Sequence, residues 1–276
     1  MKSNDGLPPT LSTATLVQPP AKKTFLWLPI NPRISRLNFV GYLVTTLFSI
    51  TFFVFLDSSQ TFVLSELLGV TSSSGTISGD LAFYDELLSI FLVALWGSLS
   101  DRIGRRPVAV AGYLMMGLGL FVFTTAPNVY PALLLCRLTF AIGAAAASAM
   151  ITALTGDYSG AGGRGKVAAV AGLFSGLGAL IGVFVLLPLP AQLTVGGNQG
   201  QAVKTTFYIT GGIAFAISLI AFALLKGDER SGWEEKGDAE EEAVEARKMP
   251  FYMLIYKGFA AGKDLRVSLA YVCGFV

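Results

Sequence analysis

Six apolar stretches set the outer limits on what this chain can become. A helix that crosses the hydrocarbon core of a bilayer needs about 20 mostly apolar residues. The runs Leu37–Leu56, Leu81–Leu99, Pro107–Ala126, Tyr130–Leu154, Val167–Leu187 and Thr206–Leu225 all qualify. Within them the only charged side chains are Asp85 and Glu86 in the second run and Arg137 in the fourth. A seventh run starts near Val267 and reaches Val276. The expected fold is therefore an all-α membrane protein, a six-helix bundle followed by the start of a seventh helix, cut off early.

Composition and charge agree. The chain is 53% hydrophobic and only 14% charged, with 31 Gly and 20 Phe. Soluble domains carry about 25% charged residues, and Gly- and Phe-rich sequences poor in charge suit helices packed in lipid. The basic residues are sorted by side. Lys and Arg collect in the N-terminal tail, in the loop after the second run, in the loop after the fourth and beyond the sixth. Lys204 alone falls on the opposite side. Under the positive-inside rule this places the N-terminus in the cytoplasm with six alternating spans. The organisation expected is a mobile cytoplasmic tail (1–36), a six-helix transmembrane bundle (37–225), a charged linker with a short interfacial helix after Pro250 (226–265) and the first turns of helix 7 (266–276). The partner that these features demand is the lipid bilayer.

Other classes find little support. A net charge of +2 gives no electrostatic case for nucleic acid. The chain has no histidine, and its two cysteines, Cys136 and Cys273, lie in separate apolar runs. They read as small packing residues rather than a disulfide framework. There is no phosphate-binding glycine loop, metal-ligand cluster or nucleophile triad, so neither a cofactor, a metal nor an enzymatic reaction is expected.

The loop between the second and third runs reads Gly97-Ser98-Leu99-Ser100-Asp101-Arg102-Ile103-Gly104-Arg105-Arg106. Gly97 allows close approach of a neighbouring helix, and Asp101 can accept charge-assisted hydrogen bonds. Gly104 permits a sharp turn, the three arginines suit headgroups or carboxylates, and Pro107 suits a first helical turn. A plain basic loop explains the arginines but not Gly97, Asp101 and Gly104 at these spacings. The decapeptide resembles the signature loop of the major facilitator superfamily at every specified position, and the resemblance extends over residues 37–276. It implies a twelve-helix transporter in two halves, each an inverted repeat of three plus three helices. In that family the loop latches the halves together, so Asp101 would brace a helix of a C-terminal half that these residues do not encode.

Further candidates follow. Arg137 precedes a run of small residues from Gly143 to Ser148, similar to the family's fourth helix. Asp85 lies sixteen residues before Asp101, roughly 24 Å along a helix, and Arg137 twenty residues before Asp157, roughly 30 Å. Both fall in the outer part of the membrane. Arg137 is expected either to pair with Asp85 or Glu86 or to snorkel to the outer interface. Asp85, Glu86, Arg137, Ser49 and Thr51 are candidates for a substrate or proton pathway. Gly172, Gly176, Gly178 and Gly182 in the fifth run read as helix-packing glycines. Gly165, Gly172 and Gly176 also resemble the glycine motif of family antiporters, although Leu177 stands where that motif has proline. Asp57, Ser58, Ser59 and Gln60 are expected to end helix 1 facing water, and Asp157 and Arg164 flank the glycine-rich turn Gly160–Gly163.

The function implied by the resemblance is ion-coupled transport of a small solute by alternating access, either as a drug/proton antiporter or as a general solute transporter, with a proton as the coupling ion. The alternative is a non-transporting membrane protein: a regulator, a partner or an inert remnant.

Overall fold

The computed structural model describes residues 23–25, 27–160, 162–194 and 198–226. Among them, six helices are long and apolar enough to cross a membrane. They are α1 (Arg36–Phe62), α2 (Ser74–Ile103), α3 (Arg105–Phe123), α4 (Leu134–Tyr158), α5 (Arg164–Ile181) and α7 (Gln199–Leu224), with a short α6 (Leu189–Leu193) between the last two. Single π-helical turns extend α1 through Val63–Leu67 and α5 through Gly182–Leu186, and another (Val129–Leu133) leads into α4. The helices overrun several of the apolar runs because backbone N–H and C=O groups in lipid must be paired within the helix itself. One consequence corrects an expectation. Asp57–Gln60 do not end helix 1. The helix continues through them to Phe62, and Ser59 and Gln60 are buried.

The helix ends follow local rules. Ser35 caps α1 by accepting the Asn38 N–H at 3.1 Å. Gly104 separates α2 from α3 with φ 97°, a conformation that side-chain-bearing residues rarely adopt. Pro107 sits in the first turn of α3, where its missing N–H has no intrahelical acceptor to lose.

Packing pairs α1 with α5 and α7, α2 with α4, and α3 with α4 and α7. Exchanging α1, α2 and α3 for α4, α5 and α7 maps this pattern onto itself: α1–α5 becomes α4–α2, α1–α7 becomes α4–α3, and α3–α7 is unchanged. That is the internal symmetry of a three-plus-three repeat. The centre is aromatic. The Phe207 ring stacks on Phe123 with centroids 5.5 Å apart and meets Phe55 at 5.0 Å. Tyr113 crosses the interior to donate its hydroxyl to the Thr45 carbonyl at 2.7 Å. By contrast, most of α2 and α5 is unburied and large apolar side chains stand outward, among them Phe83, Ile90 and Phe91 on α2 and Leu173, Leu180 and Phe184 on α5.

The N-terminal segment departs from expectation. From Lys23 it forms a hairpin, β1 (Lys23–Phe25) antiparallel to β2 (Leu28–Ile30), in the register Lys23 to Ile30. Leu28, Ile30, Asn31 and Ile34 are buried, and Phe25 meets the Phe39 ring at 5.4 Å. The described part of the 1–36 tail is thus folded against the bundle, with Phe25 on α1 and Pro29 and Asn31 hydrogen-bonded at the α4–α5 turn. Residues 1–22, the linker beyond Lys226 and the start of helix 7 lie outside the described residues.

Candidate functional site

Charge inside the bundle concentrates at one place, far from the signature loop. Arg137, in the first turn of α4, is 2% exposed. Its Nε donates to Asp85 Oδ2 at 3.1 Å, and its Nη2 lies 2.9 Å from the same oxygen. Nη2 also donates to Asp57 Oδ1 at 2.6 Å, and Nη1 donates to Gln60 Oε1. Gln60 Nε2 in turn donates to the Ser78 carbonyl at 3.3 Å. Three helices, α1, α2 and α4, therefore converge on one guanidinium. Burying an arginine within a membrane span is costly, about 2.5 kcal/mol or more at the bilayer centre, unless partners or water neutralise it. Here two carboxylates and an amide do so.

The two carboxylates are not equivalent. The Asp85 side chain is almost fully enclosed, and its Oδ1 is buried without a hydrogen-bond partner among the described residues. The Asp57 side chain is 49% exposed. One guanidinium facing two carboxylates leaves one formal negative charge, with one acid enclosed and the other open.

Of the two expected partners for Arg137, the geometry selects Asp85. Glu86, one residue on, points outward and is exposed. Asp57 and Gln60 belong to the cluster although the sequence reading set them at a water-facing helix end. Their i, i+3 spacing puts them on one helix face, at the same depth as Arg137, and that was the available signal. Ser49 and Thr51 lie apart from this cluster. Both are buried in helix packing, and Thr51 Oγ1 donates within 3.0 Å of the carbonyls of Leu47 and Gly178.

At the other end of the bundle the signature loop is internally tied. Gly104 N–H donates to the Ser100 carbonyl at 2.9 Å, and Ser100 Oγ donates to the Gly97 carbonyl at 2.7 Å. Arg105 is the hub. Its Nη1 reaches Ser100 Oγ at 2.8 Å and Asp101 Oδ1 at 3.1 Å, while its Nε donates to Asp157 Oδ2 on α4 at 3.0 Å. Asp101 keeps 52% of its side chain exposed. Arg102 is half-buried, and the Arg106 guanidinium lies 4.3 Å over the Phe222 ring. Arg164 is exposed and borders a groove between α4 and α5 with Thr152, Thr155 and Ser175. Asp157 is joined to Arg105 rather than across the glycine turn to Arg164.

The glycines divide. Gly178 and Gly182 press on α1, where added Cβ atoms would collide with the Leu47 carbonyl and lie 3.0 Å from the Thr51 carbonyl. Gly172 and Gly176 pack against nothing among the described residues, and neither does Gly97. The expectation for Gly172 and Gly176 as packing residues within this bundle is therefore corrected. Only one face of α5 meets α1, and the i, i+4 pair Gly172/Gly176 lies on another.

Six apolar helices in a symmetric three-plus-three arrangement, an intramembrane arginine clamped by acids, and a basic loop with its own hub define the class: a polytopic helical transporter fold. The sequence profile of the Major Facilitator Superfamily matches residues 26–275, and the chain belongs to that family. Its members are transporters, not enzymes. Over 188 residues the chain is 24% identical to the magnetosome protein MamH of Paramagnetospirillum magneticum, covering 65% of this chain and 42% of that protein. It is 26% identical over 197 residues to the multi-drug resistance efflux pump PmrA of Streptococcus pneumoniae, covering 70% of this chain and 46% of that one. The chain thus spans less than half the length of these curated relatives. The human organic anion transporter MFSD10 shares the fold with TM-score 0.52 and 20% identity over 76% of this chain and 53% of that one. The inward-open xylose transporter XylE from E. coli does so with TM-score 0.56 and 16% identity over 83% and 56%.

Proposed function

We propose that these residues form the N-terminal half of a transporter that moves a small solute by alternating access, coupled to protons, with its N-terminus in the cytoplasm. The observation that carries this reading is the clamp of Asp57, Asp85 and Gln60 on Arg137. An enclosed acid beside a fixed cation, with one carboxylate oxygen lacking a donor among the described residues, is suited to take up and release a proton. Protonating Asp85 weakens its hold on Arg137 and loosens the tie between α2 and α4, so proton binding and helix position become one equilibrium. The outward apolar faces of α2 and α5, with Gly97, Gly172 and Gly176 open, suit a C-terminal six-helix half as partner. Asp101, tied to Arg105 yet half exposed, suits the latch role toward that half. The basic residues at the signature-loop end support a cytoplasmic N-terminus.

The test uses the full-length protein in proteoliposomes with an imposed pH gradient. Three probes sample the solute classes: ethidium, xylose and fluorescein. The expected result is gradient-driven flux of one probe, abolished by Asp85→Asn, while exchange of that probe across equal pH persists. Asp101→Asn is expected to slow both modes. Flux that ignores the pH gradient and survives Asp85→Asn overturns the coupling. Absence of flux for every probe favours the non-transporting reading.

A further inference from the structure

The N-terminal hairpin docks at the carbonyl end of α4, and the same turn of helix holds the signature loop. The last carbonyls of an α-helix have no partner within the helix. Here they are satisfied from outside. Asn31 Nδ2 donates to the Asp157 carbonyl at 3.0 Å, and the Asn31 backbone N–H donates to the Tyr158 carbonyl at 3.0 Å. Asn31 is buried, and its Oδ1 accepts the Arg33 N–H at 3.1 Å. The glycine-rich turn that follows α4 is shaped for this visitor. Gly160 N–H donates to the Pro29 carbonyl at 3.0 Å. A Cβ on Gly160 would lie 3.0 Å from the Ile30 carbonyl oxygen, and one on Gly163 would lie 2.6 Å from Pro29.

Asp157 joins the two systems. Its backbone carbonyl takes the Asn31 amide, and its carboxylate takes Arg105 Nε at 3.0 Å. The exit of α7 enters the same knot. Lys226 N–H donates to the Tyr158 hydroxyl at 2.8 Å, and Lys226 Nζ donates to the Arg33 carbonyl at 3.1 Å.

We propose that Asn31 is a positioning residue for the signature loop: by capping α4 from the hairpin it holds Asp157 where its carboxylate fixes Arg105. The consequence for transport rests on the latch reading above, but the positioning itself is a local property. Without the hairpin, the last turn of α4 has free carbonyls and frays, and the Asp157 carboxylate moves with it.

The test measures the order of the signature loop directly in the full-length protein, with Cys136 and Cys273 replaced by Ala. Spin labels are placed at Ile103→Cys in the loop and Leu219→Cys on α7, both exposed positions. The parent should give one narrow distance. Asn31→Asp keeps the size and the Oδ1 acceptor but removes the Nδ2 donor. Gly163→Ala levers the hairpin away through Pro29, 2.6 Å from the new Cβ, with a milder contact at the Gly160 carbonyl 3.2 Å away and no contact with α4 itself. Each should broaden the distribution about twofold, to the width given by Asp157→Asn, and the double variant Asn31→Asp/Asp157→Asn should be no broader, since residues acting through one contact are not additive. Parental width in a folded Asn31→Asp protein, parental width in Asp157→Asn, or a double variant broader than either single overturns the proposal. Should Asn31→Asp not elute as a folded protein, Gly163→Ala carries the same comparison. The latch reading fails separately, through unchanged transport in Asp101→Asn, a substitution that leaves the hairpin contacts intact.

Discussion

Arg137 is the side chain on which most of the charge chemistry converges. Removing one member of a buried ion cluster strands the others, which typically costs about 3–5 kcal/mol. Arg137→Ala is expected to lose stability in that range, read as a large fall in the melting temperature of detergent-solubilised protein. Arg137→Lys keeps the charge but cannot reach Asp85, Asp57 and Gln60 from one planar group, so its loss should be smaller yet clear. Asp57→Asn should destabilise less than Asp85→Asn, because Asp57 is half exposed and Asp85 is enclosed. Equal losses in the two variants would contradict this ranking. The sequence made Arg137 and Asp85 visible, since a lone charge in an apolar run stands out. Asp57 and Gln60 did not stand out, because polar residues at the end of such a run look like a helix end. Their role depends on Arg137, some eighty residues away in sequence, which Asp57 and the buried Gln60 both contact.

At the level of single elements, α5 offers a clean comparison. Its two pairs of glycines look alike in sequence, yet only Gly178 and Gly182 meet another helix here. Gly178→Leu forces α5 away from the Leu47 carbonyl and should cost about 1–3 kcal/mol or more, as overpacking does. Gly176→Leu points into open space and should stay within about 0.5 kcal/mol in the six-helix chain. Thermal unfolding of the two variants side by side checks this. A loss in Gly176→Leu that appears only in the full-length protein would locate the surface that the partner half covers. The existence of the spans was legible because apolar length alone determines it. The choice between glycine faces was not, since it depends on which side of α5 meets α1. The hairpin was hidden for a similar reason: Leu28 and Ile30 show period-two spacing, but among prolines and lysines that pattern means little until Gly160 and Gly163 supply the surface.

For the whole molecule, the positive charges and the fold make the same division. The hairpin, the signature loop, the α4–α5 turn and the exit of α7 are joined by direct contacts at one end of the bundle. These are the segments that the distribution of Lys and Arg assigns to one side. A membrane-impermeant maleimide applied to intact cells should therefore label a cysteine at Gln201, exposed at the start of α7, and spare one at Ile103 until the cells are opened. Labelling of position 103 in intact cells would reverse the proposed orientation.

The docked hairpin also has a meaning in time. A ribosome completes Asn31 well before it reaches Asp157, 126 residues later. At about 5–20 residues per second, that delay is on the order of ten seconds. Through this interval Leu28, Ile30 and Ile34 lack the bundle in which they are buried, because the α4–α5 turn on which the hairpin docks has not been synthesised. The hairpin seats only after the fourth and fifth spans are inserted and correctly oriented, so a segment made before all six spans is among the last to reach its place. Its seating marks the completion of the bundle, and a nascent chain with a misinserted fourth span would display those three apolar side chains to the cell's quality-control machinery.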